Sequence, residues 1–380
     1  MNTSHPFGEQ VLPAWKRAVL KVGSSLLAAD NGGLSDRFAK GLADFVAQAR
    51  AQGREVVIVS SGAVAAGRGV LHTEAAGLTQ RQALAALGQT HVIGLWQRLF
   101  DVPVAQVLLS HDDLRNRRRY LNARATLREL LRLDVVPVIN ENDTVAVDEL
   151  KLGDNDNLAA VVAALVEADL LLIATDIPGL YSGHPVDDPQ ARPVPRVDAI
   201  TSDIVRMAAG EAGALGTGGM RTKLEAASKA AAASIGTVLF CGRDAQTVTA
   251  LANDRLHGTF IDAHGDRLIA RKLWLRHAPP GLHALRVDAG AARALAAQGA
   301  SLLPGGVVAV EGEFGRGDLV EIRAEGDHVI ARGLAQYNSA DLRRIAGRHS
   351  RDIESILGYR YGEAVIHRDD LVLLPQDRAA

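Results

Sequence analysis

The stretch Val135-Val136-Pro137-Val138-Ile139-Asn140-Glu141-Asn142-Asp143-Thr144 sets an apolar strand directly against a dense polar exit. A short link leads to Gly153-Asp154-Asn155-Asp156-Asn157, and Leu158, Val161, Val162 and Leu165 then recur at helical spacing. So many short polar side chains at the mouth of a buried strand are costly unless they bind something. Acids attract an amine, while asparagine side chains and backbone N–H groups freed by glycine can hold carboxylates. The other use of an Asn/Asp cluster is a polar turn with a helix cap. Density and placement favour a small ligand that carries both an ammonium and carboxylates.

The same strand-then-polar pattern recurs on either side. Ala18–Val22, Glu55–Val59, Val102–Leu109, Leu170–Ala174 and Thr237–Phe240 are apolar runs of strand length. Between them lie helical periods, such as Phe38, Leu42, Phe45, Val46 and Ala49, closed by Gly53. Near-continuous apolar strands separated by helices predict an α/β fold: an open, mostly parallel sheet sandwiched by helices. Lys21-Val-Gly-Ser-Ser25, Ser60-Ser-Gly62, Asn140 to Asp143 and Thr175-Asp176 each leave the carboxyl end of a strand. Ligands of open α/β sheets bind at those ends, so the four exits point to one shared site.

The pattern breaks near Arg276, where Ala278-Pro279-Pro280-Gly281 fits neither a helix nor a central strand. Short alternating strands follow: Gly306–Val310, Leu319–Ile322 and His328–Ala331. The expected organisation is an N-terminal extension over 1–17, an α/β domain over 18–275, a linker over 276–281 and a small, mainly β module over 282–376.

Composition excludes several classes. The 380 residues are 47% hydrophobic but only 4% aromatic, which suits helices packed closely on a sheet. A net charge of −2 advertises neither nucleic acid nor an anionic membrane surface. The single Cys241 excludes a disulfide framework and a cysteine-rich zinc site, and ends a strand where it reads as a packed, inert thiol. Twelve histidines show no metal-ligand spacing, so no structural metal is expected. Residues 1–17 lack the apolar core of a signal peptide, and no uncharged apolar run is long enough to span a bilayer. The expectation is a soluble, cytoplasmic protein.

Gly216-Thr217-Gly218-Gly219-Met220-Arg221-Thr222-Lys223 precedes the helical Leu224 to Ala233. Glycines let the backbone close around an anion, and the helix start adds free N–H groups and a favourable dipole. Lys223 adds a mobile charge for phosphate, although the Walker pattern is absent. Lys21, before Gly23-Ser24-Ser25, is a second phosphate lysine by position, with snorkelling as the alternative. Two lysines suit phosphoryl transfer, where charge must be neutralised and reactants aligned. An acid is then needed between them, and Asp156 is the candidate. Thr175-Asp176 fits either the ribose or base side of a nucleotide or a simple turn. The basic run Arg115 to Tyr120 stands without interleaved aromatics and reads as a solvated helix start or subunit contact.

Together, Lys21-Val-Gly-Ser-Ser, Ser60-Ser-Gly-Ala-Val-Ala-Ala-Gly67, Ile139-Asn-Glu-Asn-Asp143, Gly153-Asp-Asn-Asp-Asn157 and Gly216-Thr-Gly-Gly-Met-Arg-Thr-Lys223 resemble the glutamate 5-kinase branch of the amino acid kinase family. Tyr337-Asn-Ser and Leu342-Arg-Arg-Ile-Ala-Gly347 look like the PUA domain appended in that branch. The resemblance implies ATP-dependent phosphorylation of the γ-carboxylate of L-glutamate, the first step of proline biosynthesis. It also implies Mg2+ accompanying ATP, feedback inhibition by proline, and a homo-oligomer, dimer or tetramer. Carried over by position, Ser61, Asp143 and Asn155 bind glutamate, with Gly62, Asn140 and Asp154 lining the same pocket. Lys21, Gly23, Ser24, Thr175, Asp176 and the run Thr217, Gly218, Gly219, Met220, Arg221, Thr222 and Lys223 form the ATP site; Lys21, Lys223 and Asp156 form the catalytic group. The chain departs from the family pattern at Gly183-His184-Pro185, where Asp or Asn usually precedes Pro. A relative acting on aspartate, acetylglutamate or carbamate is the alternative within the class. RNA binding through the C-terminal module is the alternative outside it, with the net charge and the lack of a basic, aromatic-studded face against it.

Overall fold

The computed structural model describes residues 5–29, 32–73, 75, 77–145, 155–183, 185, 188–208, 219–263, 283–326 and 328–374. The chain divides into two compact units, Met1–Arg115 with Asn122–Gly265, and Asn116–Leu121 with Asp266–Ala380. The first unit carries strands β1 (Gln10–Val11), β2 (Arg17–Val22), β3 (Glu55–Ser60), β4 (Val104–Leu109), β5 (Val136–Glu141) and β6 (Leu170–Thr175). They are followed by β7 (Arg196–Val197), β8 (Gly236–Cys241), β9 (Arg255–Leu256) and β10 (Gly258–Ile261). Helices α1 (Ala39–Ala51), α2 (Ala63–Leu71), α3 (Leu78–Leu99), α4 (His111–Arg115) and α5 (Arg117–Arg132) precede α6 (Asn155–Val166), α7 (Ser202–Met207), α8 (Met220–Ala232) and α9 (Ala245–Leu251).

The main sheet runs β4-β5-β3-β2-β6-β8-β10-β7. Every ladder from β4 to β8 is parallel, and only β10 runs antiparallel to its neighbour β8. All six residues of β5, of β6 and of β8 are buried, as strands covered on both faces require. The chain winds outward from β2 to β3 and its neighbours on one side, then to β6 and β8 on the other. The crevice beyond the carboxyl end of β2 is therefore a topological switch point, the place where open α/β sheets bind ligands.

On α1 the buried positions Ala39, Leu42, Ala43, Phe45, Val46 and Ala49 form the apolar stripe that faces the sheet. Helices α2 and α3 meet more closely than side chains allow. A Cβ on Gly67 would stand 2.1 Å from the Leu84 carbonyl oxygen, and one on Gly88 would stand 1.9 Å from that of Ala63. Two helix starts differ from expectation. α6 begins at Asn155 and α8 at Met220, each earlier than the apolar periodicity shows, because their first turns are polar and carry the site.

The segment before β2 packs on this unit. β1 pairs with β9, Gln10 Nε2 donates to the Gly258 carbonyl at 2.9 Å, and the fully buried Phe7 ring meets Tyr181 edge-on with centroids 5.2 Å apart. Cys241 ends β8 with its sulfur 3.7 Å from the Asp176 carbonyl oxygen, and burial pushes its thiol pKa up.

The second unit holds a separate five-stranded sheet, β12-β11-β13-β14-β15, from Ala284–Val287 (β11), Val307–Glu311 (β12), Leu319–Arg323 (β13), Val329–Leu334 (β14) and Leu371–Leu373 (β15). Its core gathers Leu285, Ile322, Leu342 and Ile353 around the buried Tyr337, whose hydroxyl donates to the Gly362 carbonyl at 2.7 Å. The linker expected over 276–281 lies outside the described residues.

Candidate active site

Lys21 is the fifth residue of β2, and Lys223 lies in the first turn of α8. Each is 7% exposed. Asp156, in the first turn of α6 and 1% exposed, stands between them. Its Oδ1 is 2.6 Å from Lys21 Nζ and its Oδ2 is 3.4 Å from Lys223 Nζ. Thr222 Oγ1 donates to the same Oδ2 at 2.7 Å. Burial by itself pushes the Asp156 carboxyl up, but the two ammonium groups and the bonds from Lys21 and Thr222 overrule it and hold the pKa at about 2. Burial lowers the pKa of Lys223, with Asp156 acting against that shift. A carboxylate at a helix start is further favoured by the α6 dipole. Two cations are thus held close together by one anion, which is how positive charge can be stored in a buried place.

Beside this triad lies a cavity of about 470 Å3, lined among others by Ser61, Gly62, Asn140, Asp143, Asn155 and Arg81. Gly62 caps α2 at φ +103°, a left-handed conformation that turns the chain from β3 into the helix and presents Ser61 to the cavity. Asn155 Nδ2 donates to Ser61 Oγ at 2.7 Å and to Asn140 Oδ1 at 2.9 Å. Asn140 Nδ2 in turn donates to Gln89 Oε1 at 2.8 Å. Burial lifts the Asp143 carboxyl to about 6 against the opposing pull of Arg81. The cavity thus offers two acids (Glu141 and Asp143), three arginines (Arg68, Arg81 and Arg243), amides and serine hydroxyls within one small volume. That set suits an amino acid with a second carboxylate.

Gly23 lies so near Lys21 that a Cβ there would be 3.7 Å from Nζ, and Ser24 opens the next turn and lines the same cavity. Thr175 is buried at the end of β6, its Oγ1 3.2 Å from Asp176 Oδ1. Asp176 is exposed and reaches Arg243 at 3.9 Å. Gly219 and Met220 start α8, whose N-terminus has no side-chain cap. Arg221 departs from the group: it is exposed and pairs along the helix with Glu225 at 3.1 Å. Asp154, Thr217, Gly218 and His184 lie outside the described residues. Among the described residues no group of three or more His, Cys, Asp or Glu could hold a metal ion, and Asp156 is engaged by two lysines.

Sequence reasoning did not reach Gln89, Arg68, Arg81 or Trp96. Trp96 Nε1 donates to Ser60 Oγ at 2.9 Å and fixes the end of β3. Gln89 carried a signal: it falls on the stripe Ala85, Gly88, Val92, Leu95 and Trp96, a polar residue on the buried face of α3. Arg68 and Arg81 carried none, since an arginine on an amphipathic helix is ordinarily solvated.

A parallel sheet with paired lysines and an acid at its switch point, opening on a cavity for a small polar acceptor, is the arrangement of a small-molecule phosphotransferase. The chain belongs to the amino acid kinase family, whose pattern matches residues 16–241; a PUA domain matches residues 283–357. Within that family its relatives are glutamate 5-kinases. The chain is 66% identical to the glutamate 5-kinase of Xanthomonas oryzae pv. oryzae over 362 residues, covering 94% of this chain and 100% of that one. It is 62% identical to the glutamate 5-kinase of Xylella fastidiosa over 375 residues, 97% of this chain and 98% of that one. No helix among the described residues is long and apolar enough to cross a membrane.

Proposed function

We propose that the protein transfers the γ-phosphoryl group of ATP to the γ-carboxylate of L-glutamate, giving L-glutamyl 5-phosphate and ADP. The observation that carries this reading is the Lys21–Asp156–Lys223 triad at the edge of a cavity lined by Asp143, Asn155 and Ser61. The relatives named glutamate 5-kinase support it over nearly the whole chain.

A γ-carboxylate oxygen attacks the γ-phosphorus while the bond to the β,γ-bridging oxygen breaks, and ADP takes the electron pair. No proton need move, so the protein's part is alignment and charge neutralisation. Lys21 and Lys223 face the charge that spreads over the transferred group, and Asp156 keeps both ammonium groups in place before the nucleotide arrives. Such preorganised charge in a buried site acts more strongly than in water. Asp143 and the Asn140–Asn155–Ser61 group hold the amino acid. Thr175, Asp176 and the start of α8 hold the nucleotide. Mg2+ enters as part of MgATP, where it offsets phosphate charge.

Purified protein given glutamate, ATP and Mg2+ should release ADP and, with hydroxylamine, form γ-glutamyl hydroxamate. ADP release that ignores glutamate overturns the reading, and a panel with aspartate, acetylglutamate and carbamate separates it from other carboxylate kinases. Proline is the expected feedback inhibitor, tested by adding it to the same assay. A dimer or tetramer, tested by sedimentation, is the expected assembly, and the cytoplasm is the expected location.

A further inference from the structure

After Asp176 the chain doubles back on itself. Tyr181 pairs antiparallel with Pro193, and the Val194 N–H donates to the Leu180 carbonyl at 2.9 Å. Thr259 on β10 ties the base together, accepting from the Leu180 N–H at 2.8 Å and donating to the Val194 carbonyl at 2.7 Å. Residues before β2 then hold both limbs of that base. The Phe7 ring, fully buried, packs edge-on against Tyr181 and lies where a Cβ on Gly179 would be 2.9 Å from two of its carbons. Gln10 Nε2 donates to the Pro195 carbonyl at 3.1 Å on the returning limb and to the Gly258 carbonyl at 2.9 Å. His257 Nδ1 donates to the Phe7 carbonyl at 3.2 Å, and His5 Nε2 lies 3.4 Å from Asp244 Oδ2, just beyond the end of β8. Phe7 and Gln10 both precede residues 16–241, which the family pattern matches.

We propose that Phe7 is a positioning residue for the nucleotide: it braces the doubled-back segment behind Asp176, so that Thr175 and Asp176 are held in place before ATP arrives. Fully buried, Phe7 meets no ligand and acts through Gly179 and Tyr181. Gln10 completes the brace on the opposite limb. A loop ordered in advance spares the ligand the cost of ordering it, so the brace contributes to nucleotide affinity without touching the nucleotide. Ser61, Asn140 and Asn155 belong to β3, β5 and α6 and their exits, and none of the contacts made by Phe7 or Gln10 reaches them. The effect is therefore confined to the nucleotide and spares the acceptor. This assignment rests on the nucleotide reading of Thr175 and Asp176 above.

The test compares the full-length wild type with Phe7→Ala, Phe7→Leu and Gln10→Ala, by calorimetric binding of MgADP and by steady-state kinetics. Phe7→Ala should raise the MgADP Kd and the ATP KM about tenfold each, with the glutamate KM unchanged. Phe7→Leu refills most of the space and should recover most of both. Gln10→Ala leaves no buried void and should raise both about threefold through the lost hydrogen bonds. An unchanged MgADP Kd in a Phe7→Ala protein folded by circular dichroism, or ATP and glutamate KM values that rise together, overturns the assignment. Where Phe7→Ala does not fold, an unchanged MgADP Kd in Gln10→Ala overturns it instead. A wild type that binds MgADP but shows no glutamate-dependent turnover overturns the acceptor reading alone, and the binding measurements still decide the brace. A wild type that does not bind MgADP overturns both.

Discussion

Replacing Asp156 by asparagine removes one charge and strands two. The lysines lie 2.6 and 3.4 Å from its oxygens. At an effective dielectric of about 20, unit charges at those separations attract by roughly 5–6 kcal/mol each. Desolvation of the three buried ions cancels much of that, and taking one partner from a buried pair costs about 3–5 kcal/mol. For 380 residues the loss corresponds to a Tm lower by roughly 4–6 °C. The pH dependence identifies the cause. The Asp156 carboxyl is held at about 2 against an ordinary 3.8. Its ionised form therefore contributes roughly 2 kcal/mol that is fully present above about pH 4 and lost as the pH falls toward 2. Asparagine has no such dependence. Thermal melts followed by circular dichroism should show the gap between wild type and Asp156→Asn widest near neutral pH and narrowing by roughly 2 kcal/mol as the pH falls from about 4 toward 2. At neutral pH kcat should fall about a thousandfold, since the stored charge is no longer organised. A gap of constant size at every pH, or a variant with more than a tenth of the wild-type kcat, refutes the reasoning.

Three other perturbations probe separate parts of the site. Lys223→Ala should lower kcat by about 10²–10³ with little change in the melt, because Asp156 keeps its bond to Lys21; a small kcat effect removes Lys223 from the chemistry. For the wild type, kcat/KM for glutamate should decline as the pH falls through about 6, where burial places the Asp143 carboxyl. Asp143→Asn should lose that inflection and raise the glutamate KM more than the ATP KM, and equal effects on both contradict the assignment. Gly88→Ala would bring a Cβ to 1.9 Å from the Ala63 carbonyl oxygen, so α2 and α3 must separate. A loss of about 1–3 kcal/mol or more in a urea melt is expected, and an unchanged midpoint denies the contact.

The sheet was legible because its strands are buried on both faces, and continuous apolar runs such as Leu170–Ala174 leave few other readings. The pairing of Asp156 with two lysines followed from chemistry alone, since two close ammonium groups require an anion. The beginnings of α6 and α8 were not legible. Asn155 to Asn157 and Met220 to Lys223 belong to the helices but break their apolar period, because site residues replace core residues there. The packing of residues before Arg17 was also out of reach. Phe7 and Gln10 find partners at Tyr181 and Gly258, far away in the chain, and no local pattern announces such contacts. Gln89 shows the remaining limit: a polar residue on an apolar stripe is visible in the sequence, whereas its partner is not.

The backbone contact between α2 and α3 also governs how this pocket can vary. Ser61 and Gly62 stand at one end of α2, and Gln89 follows Gly88 on α3, so two sides of the site are joined main chain to main chain. Walls fastened in this way keep their spacing when a side chain facing the cavity is exchanged. A new acceptor would have to be accommodated by changing what Arg68, Arg81 or Asp143 offers, not by making more room. The site is a socket of fixed width, in which chemistry is the free variable and size is not.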